Sequence, residues 1–361
     1  MQLVNLVYDW CSKEVNNAED VNTVELPFEQ EKTAPTTNVK LALLVINPKI
    51  STNGNKTFTE SFRWREPIDL TNETHTSLEI ASDGAVDFEI AETHYVFSLF
   101  TNKTDGSSLL ADELYNQIST LSSSEIERMK YSFDYLQMVE AYDFCNKIDN
   151  GIIDEVWVYA MPFLGMYESV MTGNEAFWIN GPTFSSTCTE KLSIMGLNYE
   201  RGVAEALHSF GHRTENVILK MHGSQSIVSC NSSNANEFMS YDEKCAGLAA
   251  VGNIYFPPNG ITDYDYGNMS YVLSNALSNA YSWLKHPFVD DDDTKEINCS
   301  DWSCNQRGYM EWWYDKLPHF ECLNPENNKL NNWWHYEVDY DDAIAHEAEL
   351  AAQGCELRTQ R

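Results

Sequence analysis

The stretch "VKLALLVINP" (Val39–Pro48) carries six consecutive apolar residues, Leu41–Ile46, and then breaks at Asn47–Pro48. A run without alternation reads as a strand buried on both faces, and it is far shorter than the roughly 20 apolar residues of a membrane span. A strand hidden on both sides needs helices above and below it. The run therefore points to a parallel sheet inside an α/β fold.

The flanking sequence agrees. "AVDFEIAETHYVF" (Ala85–Phe97) alternates like a second strand, "IDEVWVYAMPF" (Ile153–Phe163) is a third, and "KLSIMGLN" (Lys191–Asn198) a fourth. "LLADELYNQISTL" and "SEIERMKYSFDYLQMVEAYDFCNKI" read as helices between them, and "EAFWING" as a short strand. We expect a mostly parallel, three-layer α/β core over 38–225. An irregular extension precedes it over 1–37. A loop-rich, aromatic portion of the same unit follows over 226–340, and a polar terminal helix or tail over 341–361. The acidic run "VDDDDTKE" lacks the glycine and spaced ligands of a calcium loop and reads as solvated.

Charge narrows the partners. Against 55 Asp+Glu stand only 23 Lys+Arg, a formal net charge of −32. Such a chain repels phosphate backbones, so nucleic acid is excluded as a partner, and no apolar run supports membrane insertion. Nine cysteines occur without any C-x-x-C, which disfavours a cysteine-based zinc site. Cys230/Cys245 and Cys299/Cys304 flank polar loops and are the expected disulfides. With six N-x-S/T sequons, at Asn55, Asn72, Asn102, Asn231, Asn268 and Asn298, they suggest a secreted or extracellular glycoprotein whose leader is not included in this stretch.

The chemistry concentrates in "NYERGVAEALHSFGHRTENVILKM" (Asn198–Met221). At 100° per residue, Arg201, Glu205, His208, His212 and Glu215 fall within roughly 80° of one helix face, with Val203, Leu207, Phe210, Val217 and Ile218 opposite. The stripe reads as a solvated face tied by pairs such as Arg201–Glu205. It reads equally as a site. His208 and His212 have the i,i+4 spacing of two metal ligands, with Glu215 as third ligand and Glu205 as base. "HSFGH" matches neither H-E-x-x-H nor H-x-x-E-H, because Ser209 and Gly211 occupy the glutamate positions.

The segments "IDEVWVYAMPFLGMYESVMTG", "IMGLNYERGVAEALHSFGHRTE", "GNIYFPPNG", "RGYMEWWYDKLPH" and "LNNWWHY" resemble a family of mainly bacterial, often secreted proteins over roughly 39–340. The resemblance implies that these segments form one unit and implies no activity.

If the strands are parallel, Asn47, Glu168, Asn198 and Tyr199 leave the sheet at one edge, where ligands of open α/β sheets bind. Asn198 and Tyr199 are then substrate-binding candidates, although Asn198 also reads as a helix N-cap. Trp312 and Trp333, in adjacent Trp pairs, are candidates for stacking on sugars or for core packing. Asp263 and Asp265 suit a cation or a turn. Three functions remain open. One is a hydrolase of peptide or glycan that uses a divalent metal such as zinc on His208, His212 and Glu215. Another is a metal-free hydrolase with catalytic Glu168 and Glu205, Arg201 orienting an anionic group. The last is a carbohydrate-binding surface protein without catalysis.

Overall fold

Strand β1 (Thr37–Ile46) occupies the position its apolar run requires, paired on both sides. A computed structural model describes residues 33–223, 237–245, 249–270 and 277–355, and the architecture below concerns these. The main sheet has five strands in the order β2 (Val86–Val96), β1, β3 (Glu155–Ala160), β5 (Leu192–Asn198), β4 (Ser169–Thr172). Neighbours are parallel except β4, which runs antiparallel to β5. The central strands β1 and β3 are buried on both faces, whereas β2 alternates buried and exposed residues. Asp87 and Glu89 on that edge discourage a further strand.

The register of β1 against β2 shifts between Leu41 and Ala42, which leaves Ala91 as an extra residue. The bulge turns the two halves of β2 to opposite faces. Phe88 meets His75 and Trp157, and Phe210 beyond, while His94 meets Tyr142 and Phe144. Helices α1 (Pro67–Ala81) and α2 (Val203–Met221) thus cover one face, and the short helices Tyr135–Ala141 and Phe144–Asp149 the other.

Helix α2 is central. It touches α1, α3 (Gln306–Asp315), α4 (Trp333–Val338) and β5. Its Arg213 is completely buried, ion-pairs with Glu155 at the start of β3, and lies against Glu337 of α4, whose Oε1 is 3.1 Å from Nε. Trp157 Nε1 donates to the other oxygen of Glu155 at 2.7 Å. The aromatic portion after 237 shares this core through Trp283, Trp313, Trp333 and Trp334, so it joins the α/β layers in one hydrophobic cluster. Helix α5 (Tyr340–Gln353) closes the described chain, capped by Asp339.

Three expectations need correction. The long helical reading after residue 123 breaks into Ser123–Glu127, Tyr135–Ala141 and Phe144–Asp149, because Lys130 and Asp143 take left-handed backbone conformations. "EAFWING" forms no strand; its Asn180 has φ 121°, and the ladder on β5 is made by Ser169–Thr172 instead. Asn198 is not a helix cap: Gly202 holds that position. Disulfides join Cys145–Cys188, Cys299–Cys304 and Cys322–Cys355. Cys245 is also disulfide-bonded, and its expected partner Cys230 lies outside the described residues. No described helix is long and apolar enough to cross a membrane.

Candidate active site

Strands β3 and β5 end side by side, Ala160 opposite Asn198, and the chain leaves both at the same edge. After β3 it runs through 161–168 before turning into β4. After β5, Asn198 Oδ1 accepts the backbone N–H of Glu200 at 2.9 Å, and this turn leads into α2. Between these exits and the first half of α2 opens a cleft of about 690 Å³. Glu168, Asn198, Arg201, Glu205 and His208 line it, together with Tyr264, Tyr266 and Gln306. Five residues expected from the sequence are therefore brought together, at the sheet edge where such folds bind ligands.

His208 lines the cleft and His212 packs against it, each only 5% exposed. Their Nε2 atoms face one another at 3.1 Å. Glu215 Oε2 sits 3.0 Å from His212 Nδ1, and its Oε1 accepts the backbone N–H of Ile254 at 2.8 Å. The carboxylate thus fixes an N–H on Nδ1 and leaves Nε2 to share a proton with His208. Beyond His208, the Tyr266 hydroxyl lies 3.5 Å from Nδ1 and donates to Ile254 O at 2.6 Å. Burial, with the neighbouring His212 and Arg201, pulls the His208 imidazole down to about 3, so it stays neutral. Burial also pulls His212 down, but the hydrogen bond and charge of Glu215, with Glu168 behind them, outweigh it and raise the net value.

The loop through Ile254 lies over α2 with the Ile254 side chain seated against Gly211. A Cβ there would stand 2.3 Å from Ile254 Cδ1. Gly211, which spoils the protease motif, leaves the space that the Ile254 side chain occupies. Tyr255 and Tyr264 then lie on the imidazoles, ring centroids 4.7 Å from His212 and 5.5 Å from His208 respectively.

Glu215 does not complete a ligand set. It meets the ring nitrogen of His212 that points away from His208, so the three expected metal ligands do not converge on one point. Among the described residues no group of three His, Cys, Asp or Glu is placed to hold a metal. Glu168 and Glu205 are half-buried in the cleft, and Asn180 Nδ2 holds Glu168 Oε2 at 2.5 Å. Arg201 stands on the rim, 3.7 Å from Glu200.

Three expected substrate contacts lie elsewhere. Tyr199 is buried, its hydroxyl donating to Ile46 O at 3.0 Å. Trp312 packs on Trp302 and Tyr309, and Trp333 on Phe238, Trp283 and His286, all within the core. Sugars cannot stack on either. Asp265 takes the turn role, accepting from Ile261 N and Asn268 Nδ2. The sequence reading passed over Tyr255, Tyr264 and Tyr266, although they lie in the same "IYFPPNGITDYDY" stretch as Asp263 and Asp265.

What fold and site define together is an α/β protein with a carboxylate-bearing cleft at the carboxyl edge of its parallel strands. No family model, curated protein or solved structure matches the chain.

Proposed function

We propose that the chain is a hydrolase acting in this cleft without a metal, with Glu168 and Glu205 as its acid/base pair. The reading rests on one observation: both carboxylates are half-buried in the same cleft, and the neighbouring histidines are saturated by one another, Glu215 and Tyr266. One carboxyl group donates a proton to the leaving atom while the other takes a proton from the attacking water. Arg201 at the rim meets an anionic group of the substrate. The Glu215–His212–His208 chain supports the floor of the cleft.

A second reading keeps the divalent metal, zinc for preference. Its support is the convergence of the two Nε2 atoms, whose 3.1 Å spacing suits two nitrogens on one tetrahedral ion. His208 and His212 would be the protein ligands, and Glu215 would orient His212 from its far side, as outer carboxylates do.

Glu168→Gln and Glu205→Gln test the first reading. Assayed on a panel of chromogenic glycoside, peptide and ester substrates, each should lower turnover by about 10²-fold or more, the scale of general acid–base catalysis, with unchanged circular dichroism. Turnover of both variants at the parent rate would refute the assignment.

A further inference from the structure

We infer that the substrate held in this cleft is a carbohydrate and that Tyr264 is the platform on which a sugar ring stacks. The inference rests on the hydrolase reading for its reaction and on a separate surface feature for its binding.

The chemistry selects the bond. Among the described residues of the cleft there is no cysteine, and its serine, Ser209, makes no hydrogen bond to either histidine. An activated nucleophile of the serine or cysteine kind is therefore not on offer, whereas acyl transfer commonly uses one. A glycosidic bond needs only two carboxyl groups. One protonates the glycosidic oxygen, the bond from that oxygen to the anomeric carbon breaks, and the leaving sugar departs as an alcohol. Water adds to the anomeric carbon and gives its proton to the second carboxylate. Atoms and charge balance with water as the sole co-reactant.

The surface selects the same ligand. Tyr264 lines the cleft and is 53% exposed, although its ring lies nearly parallel to that of His208, at 25°. Tyr255 stands edge-on to it, centroids 5.1 Å apart, and fixes its orientation. One side of the Tyr264 ring is thus occupied by His208, and the exposed remainder faces the cleft. A flat, rigid, half-wet ring next to carboxylate and amide groups suits a sugar, whose axial hydrogens stack while its hydroxyls find Asn198 and Gln306.

The test is binding to an array of defined plant, fungal, bacterial and animal oligosaccharides. It uses the parent, the Glu168→Gln/Glu205→Gln double variant, Tyr264→Ala and Tyr264→Phe, all checked for folding by circular dichroism. The parent and the double variant should bind the same glycans. Tyr264→Ala should bind about tenfold more weakly, and Tyr264→Phe within about twofold of the parent, because stacking needs the ring and not the hydroxyl. Absence of any bound glycan for both the parent and the double variant, or equal binding by Tyr264→Ala, overturns the inference. Binding without release of reducing ends sustains it and sinks the hydrolase reading. Turnover of peptides or esters without glycan binding does the opposite.

Discussion

Glu215 illustrates how much one buried carboxylate can fix. It is 1% exposed and uses one oxygen on His212 and the other on the Ile254 N–H, so it ties the helix to the loop that covers it. Removing one partner of a buried, hydrogen-bonded pair leaves the rest unsatisfied, at a cost of about 3–5 kcal/mol. Glu215→Ala should lose stability on that scale in urea unfolding, and Glu215→Gln, which keeps an acceptor for Ile254, less than half as much. A Glu215→Ala loss below about 0.5 kcal/mol, the range of ordinary surface changes, would contradict the role given to it. The sequence made this group readable up to a point. Spacing of three and four residues puts His208, His212 and Glu215 on one helix face. It does not say which ring nitrogen Glu215 meets, and it cannot reveal Tyr266, which reaches His208 from 58 residues away. A helical wheel contains no information about what covers it, so the His208–His212–Glu215 part of a stripe that looks solvated is instead buried under a loop.

The loop itself is held by a second element. Cys299 N donates to Asn268 O at 3.0 Å, Trp302 Nε1 to Tyr266 O at 2.7 Å, and Asn298 Nδ2 to Met269 O at 3.2 Å. Two of these donors belong to the short turn that the Cys299–Cys304 disulfide closes, and Asn298 immediately precedes it. The Cys299→Ser/Cys304→Ser variant should lose about 2 kcal/mol, the chain-entropy value for so small a loop. Its amide hydrogen exchange should quicken over 254–268 and not in β1 or β3; unchanged exchange in that loop would show that the turn does not anchor it. The commitment of Asn298 also bears on its sequon. With Nδ2 donating to Met269 O and Oδ1 accepting Ser300 N, this buried side chain is closed to a glycan in the folded chain, while Asn55 and Asn72 are exposed. Among the elements, the strands were legible because apolar runs and alternation depend on burial alone. Helix α1 was not. Its buried face is partly threonine, and Thr71 and Thr74 satisfy their hydroxyls on Pro67 O and Leu70 O, so burial occurs without the apolar period that would announce it. Strand β4 was hidden for another reason: four residues are too few to display a period.

At the scale of the whole molecule, buried titratable groups set the pH range of stability. Burial lowers His75 and His222 from 6.5 to about 4 and His286 to about 3. The unfolded chain therefore binds protons at these sites first, and stability is lost as pH falls below about 6.5. Glu337 behaves oppositely. Burial raises it from 4.5 to about 8 despite Arg213, so the folded chain holds a proton that the unfolded chain releases above about 4.5. Its contribution is complete below 4.5 and is lost as pH rises towards 8. Burial and the nearby Asp291 raise Glu237 to about 7, with the same sign. His208, lowered to about 3, adds to the histidine side, and His212, raised by Glu215, adds to the carboxyl side, so the lowered histidines dominate below 6.5 and the raised groups above it. The melting temperature should peak near pH 6.5. Glu337→Gln, which mimics the protonated form, should flatten the decline on the alkaline side. A parent melting temperature that keeps rising from pH 6.5 to 8 would contradict this assignment.

The central claim is that two cleft carboxylates carry hydrolysis while the histidines behind them hold the floor in place. Once a substrate is in hand, the most direct measurement is its turnover by protein stripped with a chelator and shown by elemental analysis to hold less than about 0.1 metal per chain, the pair of Nε2 ligands being the only metal reading in question. The account predicts that the stripped protein hydrolyses at the rate of the untreated protein and that Glu168→Gln and Glu205→Gln stay slower by about 10²-fold or more. Loss of turnover on stripping, with recovery on adding one equivalent of zinc and none in His208→Ala, would contradict it and make the histidine pair a metal site.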